Sequence, residues 1–256
     1  VSKEKRIGFL KGCPMKRNKM NIRNFIYVNG SEMEQHCFYS CGIEFHEFMS
    51  SVSNRPENLL LLKHNFGNAR WNSIAKFDYV TSQEIKELIN DDVYSYGDFC
   101  WVDFNKEEDL DLMSAMQIAE LLFFAHLAGP LQDIPKVRFA YFAHDDGWFN
   151  KLYVTKLEDY EQILSKAIIV KLQQLTKRSV VDIPRDISKM LMEFTRAGLF
   201  IDLSQLSVSK TTIKIPITTI GTYTDMDKVC GLKNEIMDYS VRLEYSEKKW
   251  KLIREG

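Results

Sequence analysis

Asp146-Gly147 lies between two apolar runs in VRFAYFAHDDGWFNKLYVTKL (137–157), and this stretch restricts the fold more than any other in the chain. An Asp-Gly pair suits the positive backbone dihedrals of a two-residue hairpin turn. A turn there fixes the register. Tyr141 then faces Leu152 and Phe139 faces Val154, while His144 faces Phe149 on the other side. Ala140–Phe142 is apolar on both faces, so the hairpin is expected inside a sheet, not at its edge.

The other elements follow from the same kind of pattern. Asn24–Asn29 reads as a short strand, Leu59–Leu62 as a buried one, and a further strand is expected near the end of 66–79. Phe99–Phe104 alternates, with Phe99 and Trp101 on one face and Cys100, Val102 and Phe104 on the other. Leu199–Leu203 reads as a strand. Ile213, Ile215 and Ile217 alternate with polar positions, and Pro216, lacking an N–H, marks that strand as an edge. Val241–Ile253 forms a closing hairpin turning at Glu247-Lys248, which pairs Tyr245 with Trp250, Leu243 with Leu252 and Glu244 with Lys251.

Helical spacing appears in Gly42–Val52, where Phe45, Phe48, Met49 and Val52 share a stripe. Capping boxes at Thr81–Glu84 and Ser114–Gln117 open two more helices. The second, Ser114–Ala128, is apolar around most of its circumference and stops at Gly129-Pro130. Glu158–Lys177 carries acids first and bases last, matching the helix dipole. Pro184–Ala197 and Asp225–Met237, the latter capped by Thr224, complete the set. Strands outnumber helices and several fall in adjacent hairpins. This predicts an α+β fold: a mainly antiparallel or mixed sheet with a buried helix and flanking helices.

At 256 residues the chain fits one large domain, assigned to 21–256 with a subdomain boundary near 176–182. Residues 1–20 read as a disordered basic leader without periodic apolar positions. Residues 1–24 hold eight Lys/Arg against Glu4, so a net charge of −1 leaves about −8 on the rest. An acidic body does not attract nucleic acid, and only the tail offers phosphate contacts. The longest apolar run, Ile118–Leu131, is too short to cross ~30 Å of hydrocarbon and contains Glu120 and His126. No membrane insertion is expected. Five cysteines at irregular spacings, with no secretory segment, point to reduced thiols and a cytoplasmic location.

Common catalytic signatures are missing: there is no G-x-S-x-G, no G-x-x-x-x-G-K-[ST] and no G-x-G-x-x-G. No cofactor is implied. His46-Glu47-Phe48-Met49-Ser50 opens like a zinc-protease helix, but Ser50 stands where the second imidazole belongs. The segment from His36 to His46 resembles a zinc knuckle through Phe38, Gly42 and the Cys41-to-His46 spacing. Cys37 and Cys41 are one residue too far apart, and Ser51 takes the place of the fourth ligand. No metal site is assigned there. The hairpin tip gathers His144, Asp145 and Asp146, which could ligate a hard cation or do acid–base work. Turn chemistry accounts for the same residues.

The segments NLLLLKHNF (58–66), YGDFCWVDF (96–104) and FAHDDGWFNK (142–151) resemble those of an uncharacterised bacterial family of small soluble proteins. Some of its members carry the label oxalate:formate antiporter. The resemblance spans most of residues 42–253 and implies no catalytic motif, cofactor or site residue. The label implies a polytopic transporter, which the lack of any spanning run contradicts. The reading is thus a soluble binding, regulatory or protective protein with a protein or small-molecule partner. Its rivals are a metal-assisted hydrolase centred on His144, Asp145 and Asp146, and an RNA-binding protein using the basic tail and the knuckle-like segment.

Overall fold

The computed structural model describes residues 24–52, 59–63, 76–85, 99–103, 113–117, 137–144, 149–225, 228–229 and 241–254, with backbone alone at 59–63, 76–80, 99–100 and 144. Among these, twelve strands join one sheet. They are β1 (Phe25–Asn29), β2 (Cys37–Cys41), β3 (Leu59–Lys63), β4 (Lys76–Val80), β5 (Phe99–Asp103) and β6 (Phe139–His144). The later six are β7 (Phe149–Val154), β8 (Leu199–Asp202), β9 (Ser207–Val208), β10 (Thr212–Thr219), β11 (Val241–Ser246) and β12 (Lys249–Arg254). Their order is β12-β11-β10-β8-β1-β2-β7-β6-β5-β3-β4, with β9 beside β10. Every pairing is antiparallel. Strands from both sides of the 176–182 segment enter this one sheet.

The β6–β7 hairpin has the register that a turn at Asp146-Gly147 demands: Phe139 opposite Val154, Tyr141 opposite Leu152 and His144 opposite Phe149. It is internal, flanked by β5 and β2. The β11–β12 pair also has the expected register, with Tyr245 against Trp250 and Glu244 against Lys251. Its turn places Glu247 at φ 53° and Lys248 at φ 58°. Both residues sit where a side chain is disfavoured by about 1–2 kcal/mol. Replacing them with Asn-Gly is expected to stabilise the protein by about 1 kcal/mol. An unchanged urea midpoint would show that the turn relaxes in solution.

Pro216 is not on an edge. β10 pairs with β11 on one side and with β9 and β8 on the other. On that second side β9 stops at Lys214 and β8 begins at Ile217, so Pro216 falls in the gap between two partners. A missing donor is tolerated there as it would be at an edge. A partner as short as β9 leaves no periodic trace in the sequence.

Helices α1 (Phe45–Ser51), α2 (Leu157–Thr176) and α3 (Arg185–Thr195) cover one face. Helix α1 starts at Phe45, the first residue of its apolar stripe, and not at the expected Gly42, because Gly42 at φ 80° turns the chain out of β2 first. Phe45 stacks on Trp101 at 5.2 Å and Phe48 on Tyr141 at 4.6 Å, which seats α1 over β5 and β6. Phe38 of β2 lies flat on Tyr160 of α2 at 3.6 Å. Such ring pairs add about 0.5–1.5 kcal/mol each beyond the area they bury. Tyr141 Oη donates to Asn150 Oδ1 at 2.8 Å, and Asn150 Nδ2 donates to the Ile43 carbonyl at 2.7 Å. These buried polar groups therefore pin the entry to α1.

The opposite face carries Phe25, Tyr27, Tyr39, Cys41, Phe149, Phe200 and Val229, with Ile220 and Tyr223 packed on them. Tyr27 Oη donates to the Gly221 carbonyl at 2.8 Å and accepts from the Tyr223 N–H at 2.6 Å. Burial raises the Tyr27 phenol well above its usual range, partly offset by that N–H. Asn29 Nδ2 donates to the Tyr223 carbonyl at 3.1 Å, so the segment after β10 is strapped across this face.

The box at Ser114–Gln117 forms in full, and that at Thr81–Glu84 forms only the bonds to the carboxylate. The Thr81 N–H and hydroxyl both donate to Glu84, at 2.9 and 2.7 Å. The Ser114 N–H donates to Gln117 Oε1 at 2.8 Å, and the Gln117 N–H returns to Ser114 Oγ at 3.2 Å. The rest of the Ser114–Ala128 segment, most of Asp225–Met237 and the basic leader 1–20 lie outside the described residues. No helix among the described residues is long and apolar enough to cross a membrane.

Candidate functional site

His144 ends β6, and its backbone lies in the same lateral row as Phe149, Cys41 and Tyr27. Asp145 and Asp146 lie outside the described residues. Among the described residues no three His, Cys, Asp or Glu side chains converge on a point that could hold a metal.

The knuckle-like segment is laid out as strand, which separates its thiols. Cys37 and Cys41 bound β2, and four residues of extended chain set their Cα atoms ~13 Å apart. Two thiolates on one tetrahedral zinc stand only about 4 Å apart, so these two cannot share an ion. His36 is left-handed at φ 60°, and its Nδ1 lies 3.1 and 3.0 Å from the carbonyls of Val154 and Thr155. That ring joins β2 to the end of β7. His46 is exposed on α1.

Cys37 is buried beside Lys151, and Tyr39 Oη donates to Glu32 Oε2 at 3.1 Å. Burial pushes the Cys37 thiol up to about 12, outweighing the nearby Lys151 cation, which acts in the opposite sense. The thiol therefore stays protonated at neutral pH, which makes it a packing residue and not a nucleophile. Lys151 Nζ lies 6.0 Å from the centre of the Tyr39 ring, within reach of a cation–π contact.

The groups that do converge line a cleft on the helical side of the molecule. After α2 ends with Lys177 in the left-handed region at φ 57°, the chain turns back beside the helix. Val180 and Ile183 are buried along this return, and Trp250 Nε1 of β12 donates to the Val181 carbonyl at 2.8 Å. The return delivers Asp182, Ile183 and the first turn of α3 to the N-terminal half of α2. The space left between them is about 380 Å³, lined by Glu158, Glu161, Ser165, Lys166 and Ile169 from α2, and by Asp182, Ile183, Arg185 and Ser188 opposite. Helical spacing explains the α2 wall, because 158, 161, 165 and 169 recur every three or four residues.

The floor of the cleft is polar and ordered. Ser165 Oγ and Ser188 Oγ are 2.7 Å apart, both residues being buried. Ser188 Oγ donates to the Pro184 carbonyl at 3.2 Å. Either hydroxyl can donate to the other, and the Ser165 oxygen keeps at least one lone pair in both arrangements. Glu161, one turn before Ser165, is 9% exposed. Arg185 Nε lies 3.7 Å from Glu161 Oε1, and Arg185 Nη2 lies 3.9 Å from Glu158 Oε1. Both separations exceed hydrogen-bond length, so the pairing is Coulombic and leaves donors and acceptors for a ligand. Three carboxylates, two cations, a hydroxyl acceptor and two Ile side chains thus share one space, which can hold a small polar molecule by charge and shape.

Sequence reasoning missed this site. It singles out Glu158 and Glu161 only as partners of the helix dipole, and it assigns Ser165 and Ser188 no role. The available signal was Glu161 and Ser165 standing on the flank of α2 that also carries Ile168 and Leu172. A scan against protein families, a search of curated proteins and a search of solved structures each find no match to this chain.

Proposed function

We propose that this is a soluble, cytosolic binding protein, and that the cleft between α2 and α3 receives its ligand without chemical change. The observation that carries this reading is the floor: a nine-tenths buried carboxylate and a paired hydroxyl system facing an otherwise accessible space. The Arg185 pairs with Glu161 and Glu158 are longer than hydrogen bonds, and a ligand can supply closer partners to these charges. A volume of about 380 Å³ lies at the small end of known ligand pockets. The described lining offers hydroxyls, carboxylates and cations, with no imidazole or thiol among the described residues, which suits recognition better than proton transfer near neutral pH.

Thermal denaturation against a panel of amino acids, amines, carboxylates, sugars and nucleosides at millimolar concentration tests this. A ligand at a hundred times its Kd stabilises by about 2.7 kcal/mol, or several degrees in Tm. At least one class is expected to produce that rise, and Gln162→Trp, at an exposed position on the cleft wall, is expected to abolish it by filling the cleft. A rise that persists in Gln162→Trp places the ligand elsewhere and overturns the reading.

A further inference from the structure

We infer that the cleft selects a small zwitterion, a molecule carrying one ammonium and one carboxylate, with the free α-amino acid as the class that fits. This deepens the proposed function and rests on the cleft being the ligand site. The first argument is charge. The α2 wall carries Glu158, Glu161 and Lys166, and the opposite wall carries Asp182 and Arg185, so both signs of charge line the same space. A simple cation would meet Lys166 and Arg185, and a simple anion would meet three carboxylates. A molecule with both charges finds partners of opposite sign for each of them.

The second argument is the placement of hydrogen-bonding groups. Glu161 and Ser165 are one helical turn apart on α2 and both present acceptors, and an ammonium group brings three donors to them. The opposite pole is Arg185, the first residue of α3, whose fork of donors fits a carboxylate. No side chain caps the α3 N-terminus, and the helix dipole there favours an anion near Arg185.

The third argument is the present state of the ion pair. Arg185 stands 3.7 Å from Glu161 and 3.9 Å from Glu158, too far to hydrogen-bond either. A zwitterion entering between them replaces one loose pair by two hydrogen-bonded ones, ammonium to Glu161 and carboxylate to Arg185. Ile169 and Ile183 then form the apolar wall that a side chain of the ligand would contact.

Calorimetric titration of the full chain with three series tests this: free amino acids, n-alkyl amines lacking the carboxylate, and carboxylic acids lacking the amine. The expected result is that an amino acid binds at least roughly tenfold more tightly than either matched half-molecule. Arg185→Gln is expected to weaken the amino acid by a similar factor while leaving amine binding unchanged. Arg185 is exposed, so this variant should fold even if Glu161→Gln does not. An amine that binds as tightly as the amino acid overturns the zwitterion assignment and leaves the cleft as the ligand site. The same holds if only another class binds and Gln162→Trp removes it. Amino acid binding that survives undiminished in Gln162→Trp overturns both readings.

Discussion

Gly198→Ala is expected to lower stability by at least about 3 kcal/mol, or to prevent folding outright. Two costs combine at this residue. Its φ is +77°, a region that an L side chain enters at about 1–2 kcal/mol. A Cβ there would also overlap the carbonyl of Gly221, a backbone atom that cannot rotate away. Neither segment can yield easily: the Gly221 N–H donates to the Ala197 carbonyl at 3.0 Å, and the Ile220 N–H donates to the Gly198 carbonyl at 3.0 Å. Relief would require moving the strap off Tyr27 and Asn29, with loss of their hydrogen bonds. Gly221→Ala is the informative comparison. That residue also has a positive φ, at +96°, but the nearest atoms to its Cβ would belong to the Tyr223 side chain. A smaller loss is expected, because a side chain can shift where a carbonyl cannot. Urea denaturation measures both, and equal losses would show that the Gly198–Gly221 approach is looser in solution.

The second large effect is expected between α1 and α2. Lys171 is fully buried and Glu47 nearly so, with Lys171 Nζ 3.6 Å from Glu47 Oε1. Glu47→Leu alone leaves the lysine cation in the core without this carboxylate, a loss of about 3–5 kcal/mol. Lys171→Met alone strands the carboxylate and should cost about as much. The double variant removes both desolvation penalties and fills the space with apolar atoms, so it should lie within about 1 kcal/mol of the parent or above it. A double-mutant cycle by urea denaturation reads the coupling. If the two single losses add in the double variant, the pair is not acting as a unit, and Lys171 is held by its other surroundings.

Local rules in the sequence reach the hairpins and stop short of the cleft, and the reason is physical. A two-residue turn sets the pairing of every residue on both arms, so Asp146-Gly147 and Glu247-Lys248 specify the β6–β7 and β11–β12 registers without further information. The alternation of Ile213, Ile215 and Ile217 likewise marks a buried face. What it cannot say is who sits on either side, so Pro216 reads as an edge when it occupies a gap. The knuckle resemblance fails for a related reason. Ligand spacing has meaning only once the backbone is known to curl, and Cys37-Phe38-Tyr39-Ser40-Cys41 is extended. The cleft is less legible still. Its two walls are separated by the return from Lys177 to Pro184, whose path depends on Trp250 reaching Val181 from the far end of the chain. The hairpin tip of His144, Asp145 and Asp146 drew attention because its residues are adjacent in sequence. The cleft brings its residues together only by packing.

The sheet order also has a consequence for how the chain acquires its shape. β1 lies between β2, which follows it closely, and β8, which arrives roughly 170 residues later; at ribosomal rates of about 5–20 residues per second that is a wait on the order of 10–30 s. Throughout that interval the nascent β1–β2 pair has an open flank of N–H and C=O groups from alternate residues of Phe25–Val28, a stretch deeply buried in the finished protein. An unpaired, apolar strand edge of this kind is an attachment point for other chains. Closure of the sheet by Leu199–Asp202 is therefore the step at which aggregation competes with folding. Variants that slow α3 or β8 should lower soluble yield on expression even where the finished protein is as stable as before.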